Sequence, residues 1–309
     1  MDEFARIRYL TEGEVVLPTD DVERILTHLV TSVLDRLVEQ KETGTPLEKE
    51  WEALNGLGSD EREYCIAAAK LGLDPFAEAD QYEASIIEAA HRLPHDVLGD
   101  FFHAVDPRHI KQAVDWITDA TSEADALAGD PSEEIRSVRT ALASSSTLDN
   151  DAPWRRGWRQ AQVTRQALGL RDDSRLDIEQ YVPTRSRSGV DPHLQAVGIA
   201  PGDFVRPAIA LGRTAGPSGT RFIQGRALWH RLTKDESTFL ITTSYTDLQK
   251  VERAFAAELL APAEGIRTKL SVPPGEAVQE DLGSVAEHFG VSPILIENQI
   301  ENQILSGRH

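Results

Sequence analysis

Two neighbouring segments of the sequence carry side chains whose types and spacing could do chemistry. In Arg221–Leu232, RFIQGRALWHRL, a guanidinium (Arg226) and an imidazole (His230) stand four residues apart, so on a helix they share one face. The helical stretch that leads into Arg253–Pro262, RAFAAELLAP, adds the carboxylates of Glu252 and Glu258. Imidazole and carboxylate are metal ligands and proton carriers, whereas a guanidinium is a permanent cation with donors only. A buried cation must find a partner. Arg226 therefore either points to solvent or pairs with Glu252 or Glu258, which would hold two helices in register through a bidentate contact. His230 is either a residual metal ligand or a histidine packed beside Trp229 and hydrogen-bonded locally. His193 and His288 lie elsewhere, and nothing in their spacing joins them to His230. Cys65, beside Ile66 in an apolar helical turn, reads as a buried, inert thiol.

The string RAFAAELLAP is similar to the block that follows the zinc-binding helix in the ImmA/IrrE family of zinc metallo-endopeptidases. The matching positions are Phe255, Ala256, Ala257, Glu258, Leu259, Leu260 and Pro262. The family's zinc helix opens on Arg-Phe and continues to His-Glu-x-x-His. Arg221 and Phe222 match that opening, Arg226 takes the first histidine, Ala227 takes the glutamate, and His230 keeps the second histidine. The segments Asp60–Phe76, Pro153–Gln160 and Ala286–Asn302 also resemble parts of one branch of the family. The resemblance implies a zincin-like domain in which two histidines and a later carboxylate hold zinc and a glutamate acts as general base on the bound water. By that pattern the third ligand falls on Gln249, Val251 or Glu252, of which only Glu252 could bind zinc well. The residual metal set is then His230 and Glu252, with Glu258 supporting the former site. With Arg226 and Ala227 in place of a ligand and the base, the resemblance implies an impaired enzyme with no cofactor, or with zinc if the site is active.

The elements that must position these residues read as follows. Apolar residues recur at helical spacing from Val22 to Val38, and further helices are expected over Ser59–Lys70, Gln81–Arg92, His95–Val105, Pro107–Thr121 and Pro131–Ser144. Ala143–Ala152 is small and polar and reads as a linker. A helix with Trp154, Trp158 and several arginines follows over Pro153–Leu170. Its tryptophans are expected to anchor it to the core while its arginines pair with acidic residues of the first half, although such a mixture could also stack on nucleic acid. Short apolar runs at His193–Ile199, Val205–Leu211 and Thr238–Thr243 read as strands of a small sheet. Helices are expected over Thr220–Leu232, Asp247–Leu260, Ala277–Phe289 and Pro293–Leu305. The expected fold is α+β: an acidic helical region over 1–145, then an ImmA/IrrE-like domain over 153–309.

Charge divides the chain the same way. Residues 1–150 carry 32 acidic and 13 basic side chains, and residues 151–309 carry 19 of each. An acidic first half does not grip a phosphate backbone. The last two helices could form a helix-turn-helix in which Asn298, Gln299, Asn302 and Gln303 read base edges, but Glu297 and Glu301 there disfavour phosphate contact. No stretch is apolar enough to span a membrane, and the first residues lack the pattern of a secretory signal. A cytoplasmic location is expected. The leading functional expectation is a regulatory protein that binds a protein partner such as a transcriptional regulator, with no membrane and with nucleic acid disfavoured. An active zinc endopeptidase and a DNA-binding regulator are the alternatives.

Overall fold

The computed structural model describes residues 17–76, 79–145, 152–212 and 216–306. The fold is mixed α+β, with helices first and a four-stranded sheet later, as the sequence predicts. Two compact units are distinguished, one ending at Arg62 and one beginning at Glu63. The change in charge near residue 150 falls inside the second. The expected linker lies largely outside the described residues, since 146–151 are among those not described.

In the first unit, α1 (Thr19–Glu39) follows the apolar periodicity, yet Ile25, Leu26, Leu29 and Val38 remain exposed. The helix α2 (Pro46–Gly56) was not anticipated. Its signal is local: Thr45 accepts a hydrogen bond from the Glu48 amide, and Pro46 occupies the first turn, where a missing N–H costs nothing.

The second unit is built around the sheet of β1 (Thr184–Ser186), β2 (Leu194–Ile199), β3 (Ala208–Leu211) and β4 (Thr238–Thr242), in the order β1-β3-β2-β4. The strand β2 runs antiparallel to both β3 and β4, and the short edge strand β1 runs parallel to β3. Both faces of the sheet are covered. Leu194, Val197, Ala210 and Leu240 enter one core with α3 (Ser59–Lys70), α4 (Glu83–Arg92), α5 (His95–Ala104) and α6 (Ile110–Asp125). Ala196, Ile209, Phe239 and Ile241 enter the other, the alternation being interrupted on β2 by a register shift between Leu194 and Ala196. That second core is closed by α7 (Glu133–Ser144), α8 (Pro153–Ala167), α9 (Gly216–Thr233), α10 (Asp247–Leu260) and α11 (Ala263–Lys269), with α12 (Gln279–Phe289) and α13 (Pro293–Gln299). So α3–α6 are not a free-standing helical domain; their apolar faces are one cover of the sheet.

Three sequence expectations need correction. Pro293–Leu305 is not one α-helix, because α13 passes into a π-helical turn at Ile300–Leu305. The helix expected from Pro131 begins at Glu133, Pro131 being bridged to Val205 instead. Cys65 is only half-buried and its neighbour Ile66 is exposed, because the helix turns its alanines, Ala67 and Ala68, to the core. Among the described residues no helix is long and apolar enough to cross a membrane.

Candidate functional site

Helices α9 and α10 lie side by side over the sheet, and their facing residues form a buried polar chain. Arg226 and His230, one turn apart on α9, both reach Glu252 in the middle of α10. Arg226 donates from Nε to Glu252 Oε1 at 3.0 Å and from Nη2 to the same oxygen. His230 Nε2 lies 2.7 Å from Glu252 Oε2. The guanidinium is completed by Gln195 Oε1 of β2 at 2.6 Å and by the Thr242 carbonyl of β4 at 2.8 Å. All three charged residues are at most 2% exposed. Two helices and two strands thus converge on one guanidinium.

The register left open by the sequence is settled by this packing. Glu252 is the residue of α10 that faces Arg226 and His230. Gln249 instead donates to Thr242 Oγ1 at 2.7 Å, and Val251 is fully buried in the apolar core. Arg226 is internal and does not point to solvent.

The electrostatics follow from geometry. Burial opposes the charge on Glu252, but the Arg226 guanidinium and the His230 imidazole hold its carboxyl below the usual range. Burial likewise opposes the charge on His230, but Glu236 and Glu252 overcome it and push the imidazole up to about 9. Glu236 Oε2 is 3.6 Å from Nδ1, too long for a hydrogen bond, so it acts as a nearby charge and Nδ1 has no hydrogen-bond partner. The ring is stacked on Phe239 at 4.6 Å between centroids and meets Trp229 edge-on at 5.1 Å. Phe239 fits because of Gly198 on β2, where a Cβ would stand 2.1 Å from its ring. Asp100 of α5 also feels the site. Its carboxyl is raised by burial and by Glu252 and Glu236, against the pull of His230.

This donor set does not fit zinc. Both oxygens of Glu252 and the Nε2 of His230 are engaged with one another and with Arg226, and a divalent cation would lie against a fixed guanidinium. Ala227, where the resemblance expects a base, is a fully buried methyl. Among the described residues no group of three His, Cys, Asp or Glu side chains is placed to hold a metal. The arrangement ties helices and strands together.

The remaining candidates lie apart. Glu258 is buried two turns further along α10 and does not join the chain. It accepts from Gln162, Gln299, Gln303 and the Ala263 amide at 2.8–3.2 Å, and burial raises its carboxyl. His193 contacts Thr243 Oγ1 and His288 contacts the Asp173 carbonyl, both at 2.8 Å and both exposed. Trp154 does not anchor α8, being 43% exposed; tight helix packing at Gly157 does that work. Arg165 is buried, but on the carbonyls of Leu259, Arg171 and Ser174, with no acidic residue hydrogen-bonded to it. Sequence reasoning missed Gln195 and the Thr242 carbonyl. A strand amide and a backbone oxygen carry no pattern by which to find them. No protein-family model matches this chain, and no curated protein is similar to it.

Proposed function

We propose that this chain is a catalytically impaired relative of the ImmA/IrrE zinc endopeptidases that acts by binding, as a regulatory protein whose partner is another protein. One observation carries the reading: Arg226, which stands where the resemblance expects the first histidine, and His230 each bond one oxygen of Glu252 directly, so the atoms that would hold a metal are taken up by one another. A salt bridge there keeps the α9–α10 pair together, as a metal would, while removing the means to activate water. Stripping either partner alone would leave a buried charge, which costs about 3–5 kcal/mol. The cluster is thus a structural centre for whatever surface the second unit presents.

The test is metal content with and without Arg226. Untagged protein is expected to carry no stoichiometric zinc, and Arg226→His, which offers a second imidazole beside His230 and Glu252, is expected to take up zinc and melt higher with zinc present. Stoichiometric zinc in the unaltered protein, with peptide hydrolysis that a chelator abolishes, would sink the proposal in favour of an active endopeptidase.

A further inference from the structure

A cleft of about 1440 Å³ opens between α8, α10 and the α13 segment, on the far side of α10 from the core. Its charge departs from that of the whole molecule. The chain has a net charge of −19, yet Arg155, Arg159, Lys250 and Arg253 line this cleft and, among the described residues, no carboxylate does. Lys250 also pairs with Asp247 at 2.9 Å.

Arg253 is the most telling of the four. Its Nη2 donates to the carbonyls of Ser244, at 2.8 Å, and Thr242, at 3.3 Å, while Nη1 is buried with no hydrogen-bond partner. The guanidinium is fixed, half-buried, and bonded to carbonyls rather than to an anion. It sits 5.4 Å from the ring centre of Tyr245, which is 78% exposed. On the opposite wall Trp154 and Trp158 stand one turn apart on α8, about 6 Å along the axis.

The third wall is neutral and polar. Asn298 and Asn302, again one turn apart, are exposed to the cleft, whereas Gln299 and Gln303 are committed to Glu258 beneath. The π-helical turn at Ile300–Leu305 lies in this wall, and such turns recur at functional sites. Ser218 and Gly219, from the first turn of α9, bring the positive end of that helix to the rim.

We infer that the cleft binds a short run of single-stranded nucleic acid, with phosphates on Arg155 and Arg253, bases against Trp154, Trp158 and Tyr245, and base edges within reach of Asn298 and Asn302. An acidic peptide would use the cations and leave the aromatic faces and amides idle. A nucleotide chain uses all three. A duplex keeps its bases stacked and out of reach of the indoles. This inference stands apart from the pseudoenzyme reading, since none of its residues belongs to the Arg226–Glu252–His230 chain.

The experiment is a titration of the full chain at low salt with labelled oligomers of about 12 nucleotides, a length within the range such grooves cover. Oligo-dT and oligo-rU serve as the DNA and RNA arms, with a duplex and an oligo-glutamate peptide alongside. Binding of at least one single strand, with tryptophan quenching, is expected. Affinity should fall with salt at a slope of about −0.7 per neutralised phosphate. Trp154→Ala is expected to weaken binding about five-fold or more, and Arg155→Glu about five-fold or more as well. Both changes are on exposed side chains, so unchanged thermal melting checks the fold. Absence of single-strand binding, a tighter hold on the peptide or the duplex, or variants that bind like the unaltered chain would each overturn the inference. None of these outcomes bears on the zinc test.

Discussion

Glu252 holds two cations, and its oxygens are divided between them: Oε1 to Arg226 and Oε2 to His230. The signs of the two titrations follow. The pKa of His230 is raised in the fold, so the stability it contributes is complete below its ordinary value of 6.5 and is lost as pH rises through about 9. The pKa of Glu252 is lowered, so its contribution is present above its ordinary 4.5 and is lost as pH falls through the depressed value. Unfolding by urea should therefore become easier between pH 6.5 and 9.5, and His230→Gln should flatten that part of the profile. The comparison with the variant separates His230 from Glu258, whose raised carboxyl also disfavours the folded state as pH rises, whereas Asp100, which feels the His230 charge, changes together with it. An unaltered protein whose midpoint stays constant up to pH 9.5 would contradict the assigned pairing.

At the scale of elements, close helix packing places both the buried chain and the cleft. A Cβ on Gly157 of α8 would stand 2.3 Å from the Val251 carbonyl and 2.8 Å from the Ala254 methyl, both on α10. Backbone cannot give way as a flexible side chain can. Gly157→Ala is expected to push the two helices apart and lower stability by about 1–3 kcal/mol, read by urea unfolding. The same displacement would move Trp154 and Trp158 relative to Arg253, so single-strand binding should weaken with it. A variant as stable as the parent would mean that α8 and α10 are less tightly joined than this geometry requires.

At the scale of the whole molecule, every buried apolar residue of the two cores, among the described residues, lies at or beyond Ala67. The helix α2 buries none, and α1 leaves Ile25, Leu26, Leu29 and Val38 exposed. A chain that begins at Gly58, and so keeps α3 whole, is expected to melt within about 4 °C of the full chain, the shift that 1 kcal/mol produces in a domain of this size. Calorimetry on the shortened chain reads this directly. A larger fall would show that the preceding residues contribute to the second unit's stability.

Much of this organisation was legible in the residues themselves. The periodicity of α4–α6, α8, α10 and α12 and the short apolar runs of β2, β3 and β4 gave the α+β class, because a repeat of 3.6 or 2 is a local property of the chain. Arg226, Ala227 and His230 were found from one helical string, and their types alone spoke against a working metal site. What α2, β1 and α11 lacked was an apolar run strong enough to be read without their neighbours. Which residue of α10 would meet Arg226 was not legible, since Gln249, Val251 and Glu252 differ only in rotation about the helix axis. Packing against Gly157 and the sheet fixes that rotation, and it also separates Glu258 from the cluster. The cleft was equally hidden: the Trp-Arg stripe, Arg253 and the asparagines are distant in sequence and become one surface only when three helices meet. Sequence by itself determined which side chains were available; tertiary packing decided which of them share a charge and which face an open groove, because burial and proximity are relations between segments and not properties of any one.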